Sequence, residues 1–125
     1  MENILKNNIL DTNVLSGYDP STSSLYQTFD KLYLLAPKEI FDSVEDYETL
    51  SATRQLDYYK EKNVTSSNNN KEAIKFNQGS SNNWWLRSAT SFYEYRFYVV
   101  EVDGFWTNSD ANNNALGVSP AFRIG

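Results

Sequence analysis

The spacing of apolar positions changes several times along the chain, and each change predicts a different element. In the first thirty residues Ile4, Leu5, Ile9, Leu10, Val14 and Leu15 recur about every five positions, which fits neither a helix nor a strand. Two short helical turns or irregular packing segments are expected there, followed by a turn at Gly17-Tyr18-Asp19-Pro20 and a polar loop through Ser21, Thr22, Ser23 and Ser24. The run Lys31 to Leu35 has the length and leucine–tyrosine content of a buried strand. Pro37 then suits the first turn of a helix, where the N–H it lacks would have gone unpaired, and Glu39 complements the dipole at that end. Ile40, Phe41, Val44 and Tyr47 lay an apolar stripe along a helix of about ten residues. A second helix is expected around Ala52, Leu56 and Tyr59, leaving Arg54, Asp57, Lys60 and Glu61 to solvent and ending at Asn63, which tolerates positive φ. Ser66 to Asn70 reads as polar and flexible. Lys71 to Phe76 reads as one more helical turn that packs Ile74 or Phe76.

The pattern then becomes that of strands. Trp84-Trp85-Leu86-Arg87-Ser88 is a strand by aromatic content and brevity, with the two tryptophans on opposite faces. At least two of Trp84, Trp85 and Trp106 are expected to be mostly buried. Phe97 to Val102, Asp103-Gly104 and Phe105-Trp106-Thr107 predict a β-hairpin in one of two registers. A two-residue turn would pair Val102 with Phe105, whereas a bulge at Gly104 would pair Glu101 with Phe105 and Val100 with Trp106. The bulged register is preferred, because it sets Trp106 beside an aliphatic residue and keeps Glu101 off the core side. Ser109 to Leu116 is an asparagine-rich loop. Val118 to Ile124 supplies a closing strand with Val118, Phe122 and Ile124 as core candidates, and Pro120 at an edge, a bulge or the strand start.

Three of these runs, Asn83-Trp84-Trp85-Leu86-Arg87-Ser88-Ala89, the hairpin through Asp103-Gly104, and Gly117-Val118-Ser119-Pro120-Ala121-Phe122-Arg123-Ile124, resemble a widespread family of bacterial and phage C-terminal domains of unassigned function. Its members read Trp-Trp-Leu-Arg-Ser-Pro, then Val-x-x-Asp-Gly, then Gly-Val-Arg-Pro-Ala-Phe. Asp30 to Leu35 is similar to that family's strand before a helix start, and Leu56-Asp57-Tyr58-Tyr59-Lys60 to its Thr-Asp-Tyr-Ala-Lys helix, so the likeness covers about residues 30–124. Ser119 stands where the family has arginine, and the upstream stretch with a Trp-Leu-Asn motif is missing. The resemblance implies a C-type-lectin-like fold, as in formylglycine-generating enzymes and the variable proteins of diversity-generating retroelements. In that fold a few helices pack beside a small twisted antiparallel sheet, and long loops carry function.

Composition narrows the chemistry. The 125 residues hold no Cys and no His, which excludes disulfides, thiol nucleophiles, thiolate zinc sites, imidazole triads and the paired-cysteine copper chemistry of formylglycine-generating enzymes. Eleven basic against sixteen acidic residues give a net charge of -5 with no Lys/Arg cluster, so nucleic acid is not expected as a partner. No leader pattern is read at the start of the sequence, and no apolar run of membrane-spanning length is found. The glycosylation triplet Asn63-Val64-Thr65 arises readily by chance. Asn108, Asp110, Asn112 and Asn113 supply oxygen atoms but little charge, so they read as solvated loop residues and no metal or cofactor is expected. Asp42, Glu45, Asp46 and Glu48 read as a solvated acidic helix face, and Arg87 as a structural salt bridge or carbonyl contact.

The expected fold class is therefore α+β, C-type-lectin-like, with a small twisted antiparallel sheet and two or three short helices. Residues 1–29 form an irregular N-terminal segment and residues 30–125 the lectin-like domain. Tyrosine gives contact area at low ordering cost, and serine and asparagine give adaptable hydrogen bonds. On that basis Asn82, Asn83, Tyr93, Tyr95, Phe105, Asn108 and Asn112 are the candidate ligand-binding residues. Tyr93, Tyr95, Phe105 and the Asn108–Asn112 loop are expected to share one exposed patch, the alternative being Phe105 packed beneath the loop. The expected function is non-catalytic recognition of a protein or carbohydrate at a cell surface or on a virion. The alternative is a structural or assembly module of a phage tail or surface protein.

Overall fold

A computed structural model describes residues 7–19, 24–42, 54–67, 70–90 and 95–125. Antiparallel strands dominate them. A three-stranded sheet of β5 (Trp84–Ala89), β6 (Arg96–Val100) and β7 (Trp106–Asp110) forms the centre, in that spatial order. Two separate hairpins accompany it, β1 (Thr12–Asp19) with β2 (Ser24–Asp30), and β3 (Lys75–Asn77) with β4 (Ser80–Asn82). The complete helices among the described residues are α1 (Pro37–Ile40), α2 (Asp57–Glu61) and a 3-10 turn at Lys71–Ala73. This is a small α+β arrangement, mostly β.

Alternation along β5 sets the architecture. Trp84, Leu86 and Ser88 are buried on one face, while Trp85 and Arg87 are half-buried on the other. On the first face Trp84, Leu86, Tyr98 and Val100 join Leu35, Ile40, Phe41, Tyr59, Val64 and Ala73 in one apolar core, with Trp106 packed against it. Trp84 is 1% exposed, and its indole N–H donates to the Ala73 carbonyl at 3.0 Å, so burial leaves it satisfied. The hairpin between β6 and β7 adopts the bulged register: Val100 faces Trp106, the Glu101 N–H donates to the Phe105 carbonyl at 2.7 Å, and Gly104 has φ +84°.

The helices are shorter than the apolar spacing predicts. Pro37 opens α1 as expected, and Glu39 reaches back to accept from the Ala36 N–H at 2.8 Å. The helix stops at Ile40 because Phe41 turns extended, at φ -99° and ψ 152°, and buries its ring. Val44, Tyr47 and Ala52 lie outside the described residues. Asn63 ends α2 in the left-handed region at φ 56°, and Val64 behind it donates to the Tyr59 carbonyl. One side chain ties the two helix ends together: the Gln55 amide donates to the carbonyls of Ile40 and Val64, both at 2.8 Å.

Other expectations are corrected. Thr12–Asp19 and Ser24–Asp30 pair as antiparallel strands rather than forming helical turns or irregular packing segments, and an irregularity between Leu15 and Gly17 interrupts their register. Lys31 to Leu35 is not a strand. Tyr33 alone bridges to Ala121, Leu32 is exposed, and the Leu34 and Leu35 carbonyls are taken by the Arg87 side chain and backbone. After the 3-10 turn the chain enters β3, so buried Ala73 does the packing and Phe76 is 70% exposed. Asn70, read as part of a flexible loop, is buried; its amide donates to the carbonyls of Thr65 and Gly104 and accepts from the Thr65 N–H. The closing strand is reduced to isolated pairings at Gly117, Ala121 and Ile124, and Val118, Phe122 and Ile124 are exposed.

Candidate functional site

The second face of the central sheet carries an apolar cleft. Trp85 and Phe97 project there from β5 and β6, and with Leu34, Arg87 and Ala111 they line a space of about 340 Å³. Arg87 is fixed at its wall: the guanidinium donates to the Leu34 carbonyl and pairs with Glu39, and the two side chains are only 11% and 15% exposed. The structural reading of Arg87 holds in this respect. A second concavity of about 270 Å³ shares Ala111 and is lined by Tyr95, Asp110 and Asn112. An aromatic, apolar floor thus runs into a rim of phenol, carboxylate and amide groups.

The end of the β6–β7 ladder holds this rim in place. The Ala111 N–H donates to the Tyr95 carbonyl at 2.9 Å, extending the ladder by one rung. Arg96 donates to Asp110 at 2.9 Å and to the Asn108 side chain at 3.0 Å, and its guanidinium lies 5.9 Å from the centre of the Tyr95 ring. Asn113 ties the following loop to Ser109 at 3.1 Å. Tyr95 remains 59% exposed and Asn112 is exposed, so contact area and hydrogen-bonding capacity face solvent on a braced frame.

The six described members of the seven sequence-predicted residues fall at separate places, and Phe105 does not join Tyr95 and the Asn108–Asn112 segment. Tyr95 and Asn112 meet at the rim, and Asn108 sits beside them in the Arg96 network. Tyr93 lies outside the described residues. Phe105 lies beyond the opposite end of the five-residue β6–β7 ladder, about 20 Å from Tyr95 at strand spacing, and its ring stacks on Trp106 at 5.7 Å. It is half-buried there and takes no part in the rim. Asn82 and Asn83 line another groove of about 290 Å³ with Trp84, Gly117, Ser119 and the exposed Phe76 and Val118. Within it the Asn83 side chain accepts from the Val102 N–H at 2.9 Å, a structural engagement.

The cleft floor was missed, although strand alternation already sends Trp85 to the face opposite Trp84. Among the described residues no three carboxylates come together as a metal site, and no helix is long and apolar enough to cross a membrane. Asp42, the described member of the acidic run, accepts from the Ser66 N–H at 2.8 Å. No curated protein and no solved structure matches this chain. A family profile does match, over residues 1–125, and on that basis the chain belongs to DUF6273, a domain family of unknown function.

Proposed function

We propose that this domain is a non-catalytic recognition module, displayed on a phage particle or a bacterial surface, which binds a protein or glycan at the Trp85–Phe97 cleft. The observation that carries this reading is the junction of an apolar aromatic floor with the Tyr95, Asp110 and Asn112 rim. A sugar ring or a peptide side chain offers an apolar face and a polar edge. Trp85 and Phe97 supply area for the first, and the rim supplies hydrogen bonds for the second. The lack of any His or Cys in the sequence supports the non-catalytic part. A C-type-lectin-like fold belongs to the same reading. It is supported by the small antiparallel sheet, the short helices and the approach of the chain's two end segments, where Ile9 pairs with Ile124.

A glycan array together with a pull-down from bacterial surface proteins tests the proposal. Tyr95→Ala and Asn112→Ala, both at exposed positions, should each weaken a detected ligand about tenfold. Blank results on both screens, or a ligand indifferent to both substitutions, would remove the cleft as the site. The second reading, an assembly module, is favoured by Phe76 and Val118, each 70% exposed beside the Asn82–Asn83 groove. Docking partners that depend on Phe76 and not on Tyr95 would favour it.

A further inference from the structure

The two edges of the central sheet are finished differently. The outer edge of β5 is covered by the chain itself: the Trp85 N–H donates to the Gly117 carbonyl at 3.1 Å, and the Arg87 N–H to the Leu35 carbonyl at 3.0 Å. The outer edge of β7 pairs with no strand among the described residues. Bonded rungs at Glu101–Phe105 and Tyr95–Ala111 fix the alternation of the β6–β7 ladder, so Thr107 and Ser109 turn their backbone groups toward β6. Trp106, Asn108 and Asp110 turn theirs outward. Among the described residues the Asn113 N–H alone meets this edge, at the Asp110 carbonyl, 3.0 Å away. Natural sheets blunt such an edge with Lys, Pro or a bulge. Trp106-Thr107-Asn108-Ser109-Asp110 contains no Lys and no Pro, and its register against β6 is unbroken.

We infer that the outer edge of β7 is a self-association edge, at which two copies of this chain pair antiparallel about a two-fold axis through Asn108. In that register Asn108 of one copy faces Asn108 of the other, and each Trp106 faces an Asp110. Every outward N–H then meets an outward carbonyl, that of Asp110 accepting through its second lone pair beside the Asn113 N–H, and no other register uses all three outward residues. The occupant is a second copy rather than a foreign peptide for two reasons. Strand addition by foreign peptides draws its specificity from pockets for alternate side chains, and Thr107, Asn108 and Ser109 are short and polar. The charge also balances, because Asp110 enters the interface already paired with Arg96, which bonds Asn108 as well. The interface is one strand wide, so the dimer is weak and concentration-dependent.

Sedimentation velocity of the whole chain from about 10 μM to about 1 mM tests this. The dimer fraction should rise across that range. Asn108→Pro removes an outward N–H while sparing the β6–β7 ladder, and should weaken association at least about tenfold. Asn108→Lys keeps the backbone and sets two ammonium groups face to face on the axis; it should do the same even if the proline variant folds poorly. Asn108→Ala keeps the N–H and should stay within about threefold of the parent. A chain that is monomeric throughout overturns the inference and leaves the edge to a strand of another protein. So does a dimer that Asn108→Lys leaves intact, or one that Asn108→Ala abolishes.

Discussion

Gly79 and Gly104 share a φ of +84°, yet they are required for different reasons. A Cβ on Gly79 would meet open space, whereas one on Gly104 would lie 1.9 Å from the Asn70 carbonyl oxygen. Left-handed backbone alone costs a non-glycine residue about 1–2 kcal/mol, and Gly79→Ala should lose about that much. Gly104→Ala must also displace Asn70, whose amide bonds the Gly104 carbonyl, and should lose about 4 kcal/mol or more. Urea midpoints at constant slope give the comparison; equal losses would mean that Asn70 yields freely. The two ion pairs Arg87–Glu39 and Arg54–Asp57 separate in the same way. The first is nearly buried, and Glu39→Ala also strips the bond to the Ala36 N–H, so about 3–5 kcal/mol should go. The second has side chains 73% and 75% exposed, and Arg54→Ala should fall within about 0.5 kcal/mol of the parent. At this scale the turn role of Gly104 was legible in the Asp-Gly pair. The burial of Asn70 was not, because one of its partners lies 34 residues away and nothing local marks an amide as internal.

Elements were legible where local chemistry and alternation agree. The β6–β7 register followed from Asp103-Gly104 and from the demand that Trp106 sit beside Val100. The Asn63 stop followed from the conformational tolerance of asparagine. The β1–β2 hairpin was missed because its irregularity between Leu15 and Gly17 breaks the period-two pattern that marks a strand. The β3–β4 hairpin was missed because its strands have three residues each and expose nearly everything, leaving only the left-handed pair Gln78-Gly79 as a signal. Short helices rest on tertiary contacts rather than propensity, and α2 depends on Tyr59, buried in the core. Burial pushes the Tyr59 phenol above its ordinary pKa of 10.0, and the neighbouring Tyr58 adds to the shift. Below pH 10 the phenol is neutral in both folded and unfolded chains and adds no pH dependence. Above it the unfolded chain ionises first, so stability falls as pH rises from about 10 upward. Tyr59→Phe keeps the ring in the core and should leave stability at neutral pH within about 1 kcal/mol of the parent, yet flatten the decline above about pH 10. Equal alkaline slopes in parent and variant, read from urea midpoints, would remove Tyr59 as the source.

Segments far apart in the sequence are joined by a backbone seam, and this was the least legible level. Residues 8–10, 33 and 121–125 touch through single backbone pairings: Leu10 N–H to the Arg123 carbonyl, Gly125 N–H to the Asn8 carbonyl, and a reciprocal pair between Tyr33 and Ala121. Arg123 reinforces the seam by donating to the Thr12 hydroxyl and the Asp11 carbonyl. Sequence patterning reports which side chains are buried, and here the backbone makes the joints while Val118, Phe122 and Ile124 stay exposed. The candidate cleft was half legible for a similar reason. Tyr95 and Asn112 stood out by type, but its floor combines Leu34, Trp85 and Phe97 from distant segments. The seam makes a claim about cooperativity. Ala121 both donates to and accepts from Tyr33, at 2.7 and 3.1 Å, and is partly buried against the core. Ala121→Pro removes that donor at the point where the C-terminal segment is anchored, and should cost about 2–3 kcal/mol. If the seam opens as a unit, amide exchange should accelerate together at Tyr33, Leu10 and Gly125, while Trp85 and Glu101 in the central sheet keep their protection relative to global unfolding. Acceleration confined to Tyr33 would make the pairings independent. Uniform acceleration across the chain would make the seam part of the core's own cooperative unit.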